Sequence, residues 1–281
     1  MSEINVLFYF CNFIGRVQKV QYEPTFSKNR KNVEARFIYD NNTIIDIEVK
    51  KANFINSVTF SNNEIGAIKP NVALSEITKN KLNCFCKENM IQLVFPRISK
   101  IAEFINSAAN KFELPSSNNH FNLLFINWTY TDFPECGTNE PLSILINTEN
   151  GLLYNNNALS LIKDRNGSNM LKRSDIDKIS AIILYQDTLE TLLSCDFRFH
   201  FKEHTFKYII NNNNEKLDFN LLSKLLGMDP CNDGITCEWY PLDYKFKATD
   251  SNKLLDIATN IILDKSVILH KSKSLYKQPE K

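Results

Sequence analysis

Val33-Glu34-Ala35-Arg36-Phe37-Ile38-Tyr39-Asp40-Asn41-Asn42-Thr43-Ile44-Ile45-Asp46-Ile47-Glu48-Val49-Lys50 is the segment on which the fold turns. Two runs rich in β-branched and aromatic residues flank Asp40-Asn41-Asn42, a cluster of turn formers, which predicts a β-hairpin. Successive strand residues point to opposite faces, so Ile45, Ile47 and Val49 face a core while Asp46, Glu48 and Lys50 project together on the other side. The length of the loop decides what meets them. With a two-residue turn at Asn41-Asn42, Ala35 opposes Glu48 and Glu34 points to the wrong face. With a three-residue loop, Asn42 adopting the left-handed conformation that asparagine tolerates, Glu34 opposes Glu48. Arg36 then faces Asp46 as its ion-pair partner.

Two carboxylates and an ammonium side by side on a half-buried strand carry a desolvation cost that something must offset. A divalent cation does this well. Mg2+ takes carboxylate oxygens, keeps several waters and stabilises charge developing on a phosphodiester, while a lysine beside it can hold or activate the attacking water. The arrangement resembles the PD-(D/E)XK nuclease superfamily, whose pattern is an acidic residue opening one strand of a hairpin and an acid-x-Lys triplet on the next, with a helix before and another after. Glu34 stands where the family carries the aspartate of its Pro-Asp pair, with Val33 in place of the proline, and Glu48-Val49-Lys50 stands as the triplet. The resemblance covers about the first 130 residues.

That resemblance implies a restriction-endonuclease-like core, an α/β fold with a central mixed sheet flanked by helices. It implies a Mg2+- or Mn2+-dependent nuclease acting on phosphodiester bonds, most often in DNA, with restriction or defence as the setting and a homodimer or larger defence complex as the assembly. Glu34 and Glu48 become metal ligands, Lys50 the residue on the water, and Asp46 an assisting catalytic carboxylate. A further acid is expected from the first helix or its exit, and Glu23 is preferred to Glu3 for proximity. The rival expectation is a non-catalytic nucleic-acid- or protein-binding module that keeps the fold. A plainer reading makes Glu48 and Lys50 a solvated strand face with an ordinary ion pair. A second acid-x-Lys triplet, Asp243-Tyr244-Lys245, with Asp233 and Glu238 upstream, leaves room for an active site in the second half of the chain.

The composition narrows the field. The chain has 281 residues, long enough for one large domain or two modest ones, and 33 basic residues against 32 acidic ones give it no global field for a polyanion. Cations do gather around the hairpin: Lys28, Arg30, Lys31, Lys51, Lys69, Lys79, Lys81 and Lys87. Of these Lys28, Arg30, Lys31, Lys51, Lys79 and Lys81 are the candidates for nucleic-acid contact, with a second basic patch in the tail (Lys265, Lys271, Lys273, Lys277). Only 7 glycines are present, and no two are close enough to form a loop that cradles phosphate, which disfavours P-loop ATPases, kinases and dinucleotide oxidoreductases. The 7 cysteines, odd in number and without framework spacing, read as reduced thiols of a cytosolic protein. His200 and His204 lie four apart in a strand-like stretch, too far apart for one ion.

Along the chain, residues 4–20 read as a buried amphipathic helix, and nothing is apolar for long enough to span a membrane. Residues 72–88 and 98–112 read as helices. Met90–Phe95, His120–Asn127 and Ile179–Tyr185 read as buried strands, and Cys195–Ile210 as a further hairpin. Helices at 217–226 and 252–263 complete the expectation. It divides the chain into a nuclease-like α/β domain over 1–210 and a helical accessory region with a basic tail over 211–281.

Overall fold

The computed structural model describes residues 2–12, 17–24, 32–52, 66–70, 76–93, 97–128, 141, 144–145, 152–153, 159–160, 162–164, 166–185, 207–210 and 242–246. Helix α1 (Ser2–Asn12) leads into strand β1 (Val17–Tyr22), followed by β2 (Ala35–Tyr39) and β3 (Ile44–Lys51). Next come β4 (Gly66–Pro70), α2 (Glu76–Glu88), β5 (Ile91–Leu93), α3 (Ile98–Ala109) and β6 (His120–Asn127). The last elements are β7 (Ala181–Tyr185), β8 (Lys207–Ile210) and β9 (Leu242–Phe246). The architecture is mixed α/β.

The main sheet has six strands in the order β1-β2-β3-β6-β7-β8. Strands β1, β2 and β3 form an antiparallel meander. Strand β6 lies parallel to β3 over its whole length, from Ile44↔His120 to Lys51↔Asn127, and β7 continues parallel to β6. Strand β8 closes that side antiparallel to β7. All eight residues of β6 and all five of β7 are buried, as expected of strands covered on both faces.

Two cores cover the sheet. On one face α1 lays Val6, Tyr9 and Phe10 over Phe37, Ile45, Ile47, Phe121, Leu123 and Phe125. The Phe10 ring sits 5.6 Å from Phe37 and edge-on to Phe125 at 5.8 Å, and the Tyr39 hydroxyl donates to the Phe10 carbonyl at 3.3 Å. On the other face α3 packs Ile101, Phe104 and Ile105 with Leu124, Ile126, Trp128 and Leu184. Asp46, Glu48 and Lys50 of β3 project on this second side.

Several local expectations shift. Residues 4–20 split into α1 and β1, because the edge of β2 offers Val17–Tyr22 backbone partners, interrupted by one irregularity between Val17 and Lys19, that a local hydrophobic pattern does not register. The Met90–Phe95 strand is observed as β5, but in a separate three-stranded sheet, β5-β4-β9. The second acid-x-Lys triplet lies on a paired strand: β9 runs antiparallel to β4, with Asp243 opposite Lys69 and Lys245 opposite Ala67. That strand falls inside the stretch expected to be helical. Of the expected 195–210 hairpin only β8 is described; its other arm, the helices at 217–226 and 252–263, His200, His204 and the basic tail lie outside the described residues. Among the described residues no helix is long and apolar enough to cross a membrane.

Candidate functional site

The β2–β3 loop has three residues. Ile38 pairs with Ile44, Tyr39 N–H donates to Thr43 O at 2.9 Å, and Asn42 is left-handed with φ 60°. The Asn41 side chain accepts from Thr43 N–H at 3.1 Å and braces the turn. The register that follows places Arg36 opposite Asp46 and Ala35 opposite Ile47. Glu34, one step further, donates its N–H to Ile47 O at 3.0 Å and sits beside Glu48.

Glu48 is completely buried, at 0% exposure, which removes the solvated-face reading for this residue. Lys50 Nζ lies 2.5 Å from Glu48 Oε1, and a residue that the strand pattern did not single out, Lys111, brings its Nζ to 2.7 Å from the same oxygen. Lys111 also lies 3.6 Å from Glu34 Oε1, so one ammonium joins the two carboxylates. Neither oxygen of Glu48 has a well-aligned hydrogen bond among the described residues. The two ammoniums therefore act on Oε1 as nearby charges. Burial and then the Glu48 charge push the Glu34 carboxyl above its ordinary value, with Lys111 only partly opposing them. The Lys111 ammonium loses solvation, yet its bonds and charges with Glu48 and Glu34 outweigh that and hold it above the usual lysine range.

Asp46 is occupied differently. Arg36 grips it with two parallel bonds, Nε to Oδ1 and Nη2 to Oδ2, both 2.6 Å. His120 Nε2 meets Oδ2 at 3.0 Å, and on the ring's other side Ser116 N–H donates to Nδ1 at 3.2 Å, which puts the ring proton on Nε2, toward Asp46. Burial pushes the Asp46 carboxyl up, but the bonds and charges of Arg36 and His120 win and hold it below the usual range. With both oxygens committed, Asp46 anchors β2, β3 and β6 to one another beside the Glu34–Glu48 pair.

Of the two acids weighed for a third position, Glu3 is the one whose charge acts on Glu34; its Oε1 also accepts from the Tyr22 hydroxyl at 3.2 Å. Glu23 is exposed at the end of β1, and its backbone N–H donates to Glu34 O at 2.9 Å. Among the candidate nucleic-acid contacts, Lys51 and Lys81 are exposed and Lys79 lies on α2, while Lys28, Arg30 and Lys31 lie outside the described residues.

Lys111, Ser116 and His120 were not legible as site residues, since the first two lie between α3 and β6 and the third opens β6, with no motif around them. The α3–β6 connection brings them in. Phe112 is buried in the core, Lys178 Nζ bonds Ala109 O at 2.8 Å, and the buried Asn122 side chain donates to Glu113 O and Lys178 O at 2.6 and 2.7 Å. The one available signal is a lysine just past the C-terminus of a helix that precedes a buried strand.

Among the described residues no three His, Cys, Asp or Glu side chains form a ready metal-ligand group. Glu34 and Glu48 supply two carboxylates, a donor set that suits a hard ion keeping several of its waters, and the orphaned Glu48 Oε2 is a buried acceptor able to take one.

Protein-family models, curated proteins and solved structures gave no match to this chain.

Proposed function

We propose that the protein is a metal-dependent nuclease with a restriction-endonuclease-like core, hydrolysing phosphodiester bonds, most often of DNA, in the cytoplasm and in a restriction or defence role. One observation carries the reading: a fully buried carboxylate, Glu48, has two ammoniums at Oε1 but no well-aligned hydrogen bond on either oxygen among the described residues, beside a second, half-buried carboxylate, Glu34, of raised pKa. A structural ion pair of this kind ordinarily satisfies both oxygens, because an unpaired buried acceptor is costly. The order of elements supports the same reading, with α1 before the meander, Glu34 entering β2 and the triplet on β3.

In this reading Glu34 and Glu48 hold Mg2+ or Mn2+, which supplies Lewis-acid stabilisation of the charge developing on the phosphate. Lys50, on the same face as Glu48 and more exposed than it, orients the attacking water and its charge favours the hydroxide-like form. The Arg36–Asp46–His120 network holds β3 against β2 and β6, so that the two carboxylates keep their spacing. Lys51 and Lys81 present exposed charge for the nucleic-acid backbone.

A non-catalytic module that keeps the fold is favoured by one feature, the Lys111 ammonium already joining the two carboxylates. A nuclease assay on single- and double-stranded DNA and RNA, with Mg2+ or EDTA, separates the two. The expected result is cleavage with Mg2+, none with EDTA, and a fall of about 100-fold or more for Lys50→Ala, the scale set by loss of one positioned acid–base group. A Lys50→Ala protein as active as the parent rules the mechanism out.

A further inference from the structure

Lys111 has a relation to the carboxylates that Lys50 does not share. Lys50 is fixed to Glu48 by the strand, two residues away on the same face. Lys111 arrives from the α3–β6 connection and spans Glu34 and Glu48, at 3.6 and 2.7 Å, which is the place a cation shared by both would take. Two carboxylates facing two ammoniums are already balanced. A divalent ion entering beside both lysines leaves an excess of positive charge in a buried site, where such an excess is costly. Something must move, and the backbone of Lys111 is held, so the part free to move is its side chain, whose ammonium only the two carboxylates engage among the described residues. Lys111 N–H bonds Ala108 O at 2.9 Å and Phe112 is anchored in the core, yet the lysine side chain retains 20% exposure along a flexible four-carbon stem.

We propose that Lys111 is a built-in counter-cation that holds Glu34 and Glu48 together in the metal-free protein and leaves the pair when a divalent ion binds, so that it sets the metal affinity of the site. This rests on the metal-centre reading above and adds a competitor to it. In the metal-free protein Lys111 relieves the mutual repulsion of the carboxylates; during binding it makes the ion displace a charge. A lysine serving only to stabilise the fold predicts the opposite response, because removing it then loosens the carboxylates and weakens metal binding.

The test is Mn2+ titration by calorimetry on the full chain, with melting curves recorded without metal and at saturation, for the parent, Lys111→Met and Glu48→Gln. Expected are Mn2+ binding by the parent, binding on the order of tenfold tighter by Lys111→Met, the effect of removing one neighbouring charge, and no binding by Glu48→Gln. Lys111→Met should melt below the parent without metal and recover with Mn2+. Binding by Lys111→Met alone also supports the competition. Equal or weaker binding by Lys111→Met than by the parent overturns the proposal and leaves the metal centre standing. No Mn2+ binding by any of the three proteins overturns both. If Lys111→Met does not fold, acetylation of Lys111 in the parent decides, read by mass spectrometry. Several-fold faster labelling with Mn2+ is expected, and unchanged or slower labelling overturns the proposal.

Discussion

Glu34 and Asp46 lie on the same hairpin and respond to the fold in opposite ways. Glu34 is raised above its ordinary 4.5 by burial and by Glu48, so its ionised form costs folding free energy. That cost is absent below pH 4.5, grows as pH rises through the folded-state value and is complete above it. Glu34→Gln should therefore melt higher than the parent at pH 7, with the advantage shrinking as the pH falls toward 4.5; a variant that melts lower at pH 7 contradicts this assignment. Asp46 is depressed below its ordinary 3.8 by Arg36 and His120, which outweigh its burial. Its contribution is present above pH 3.8 and is lost as pH falls through the lower folded value. Asp46→Asn removes the buried carboxylate that Arg36 and His120 both bond and should cost about 3 kcal/mol near neutrality in urea denaturation. The same variant should lose less stability than the parent between pH 4 and pH 2. Destabilisation by the carboxylate at position 34 and stabilisation by the one at position 46 are the contrast expected if Glu34 serves the proposed chemistry and Asp46 the architecture.

At the scale of the hairpin, the loop is the controlling feature. Asn42 with φ 60° makes the extra loop residue that carries Glu34 to the face of Glu48. Asn42→Gly should be neutral or slightly stabilising, since glycine meets this conformation without strain, whereas Asn42→Val should cost about 1–2 kcal/mol. Deleting Asn42 shortens the loop to two residues and moves Glu34 off the face, because a one-residue slip reverses every side chain of a strand. The deletion variant should lose Mn2+-dependent thermal stabilisation while keeping the circular dichroism of the parent; retained stabilisation separates the metal response from Glu34. This geometry was legible beforehand, since turn chemistry and the period of two are local properties of the chain. Strand β1 was not. Val17–Tyr22 has a burial pattern of mostly exposed residues, and its extended form comes from pairing with β2, a partner distant in sequence. Strand β5 was legible as a strand but not as a member of the smaller sheet.

Across the whole molecule, the sheet is clamped between α1 and α3, and the site lies on the α3 side. Phe10 is the central contact of α1, fully buried against Phe37 and Phe125. Phe10→Ala should lower stability by about 3–5 kcal/mol in urea denaturation, the range for truncating a buried phenylalanine. Its effect on Mn2+ affinity at temperatures where the protein stays folded should be small, because Phe10 acts on the opposite face of the sheet from Glu48. A large change in affinity shows instead that α1 positions the site, for which Glu3, bonded to Tyr22, is the connecting residue.

The chain by itself determined the hairpin, the three-residue loop, the joint projection of Asp46, Glu48 and Lys50, and the buried character of 120–127 and 181–185. All of these follow from local turn chemistry and from the alternation or continuity of apolar residues. Tertiary structure alone decided that Glu48 is sealed from solvent rather than displayed on a wet face, because that depends on β6 and α3 closing over β3. It also decided that His120 joins Arg36 on Asp46, and that Lys111 reaches between the carboxylates. Those contacts join residues far apart in the chain, His120 and Asp46 being 74 positions apart, and no periodicity within one segment can register them. They are created only when the parallel pairing of β3 with β6 brings the connection after α3 down beside the hairpin.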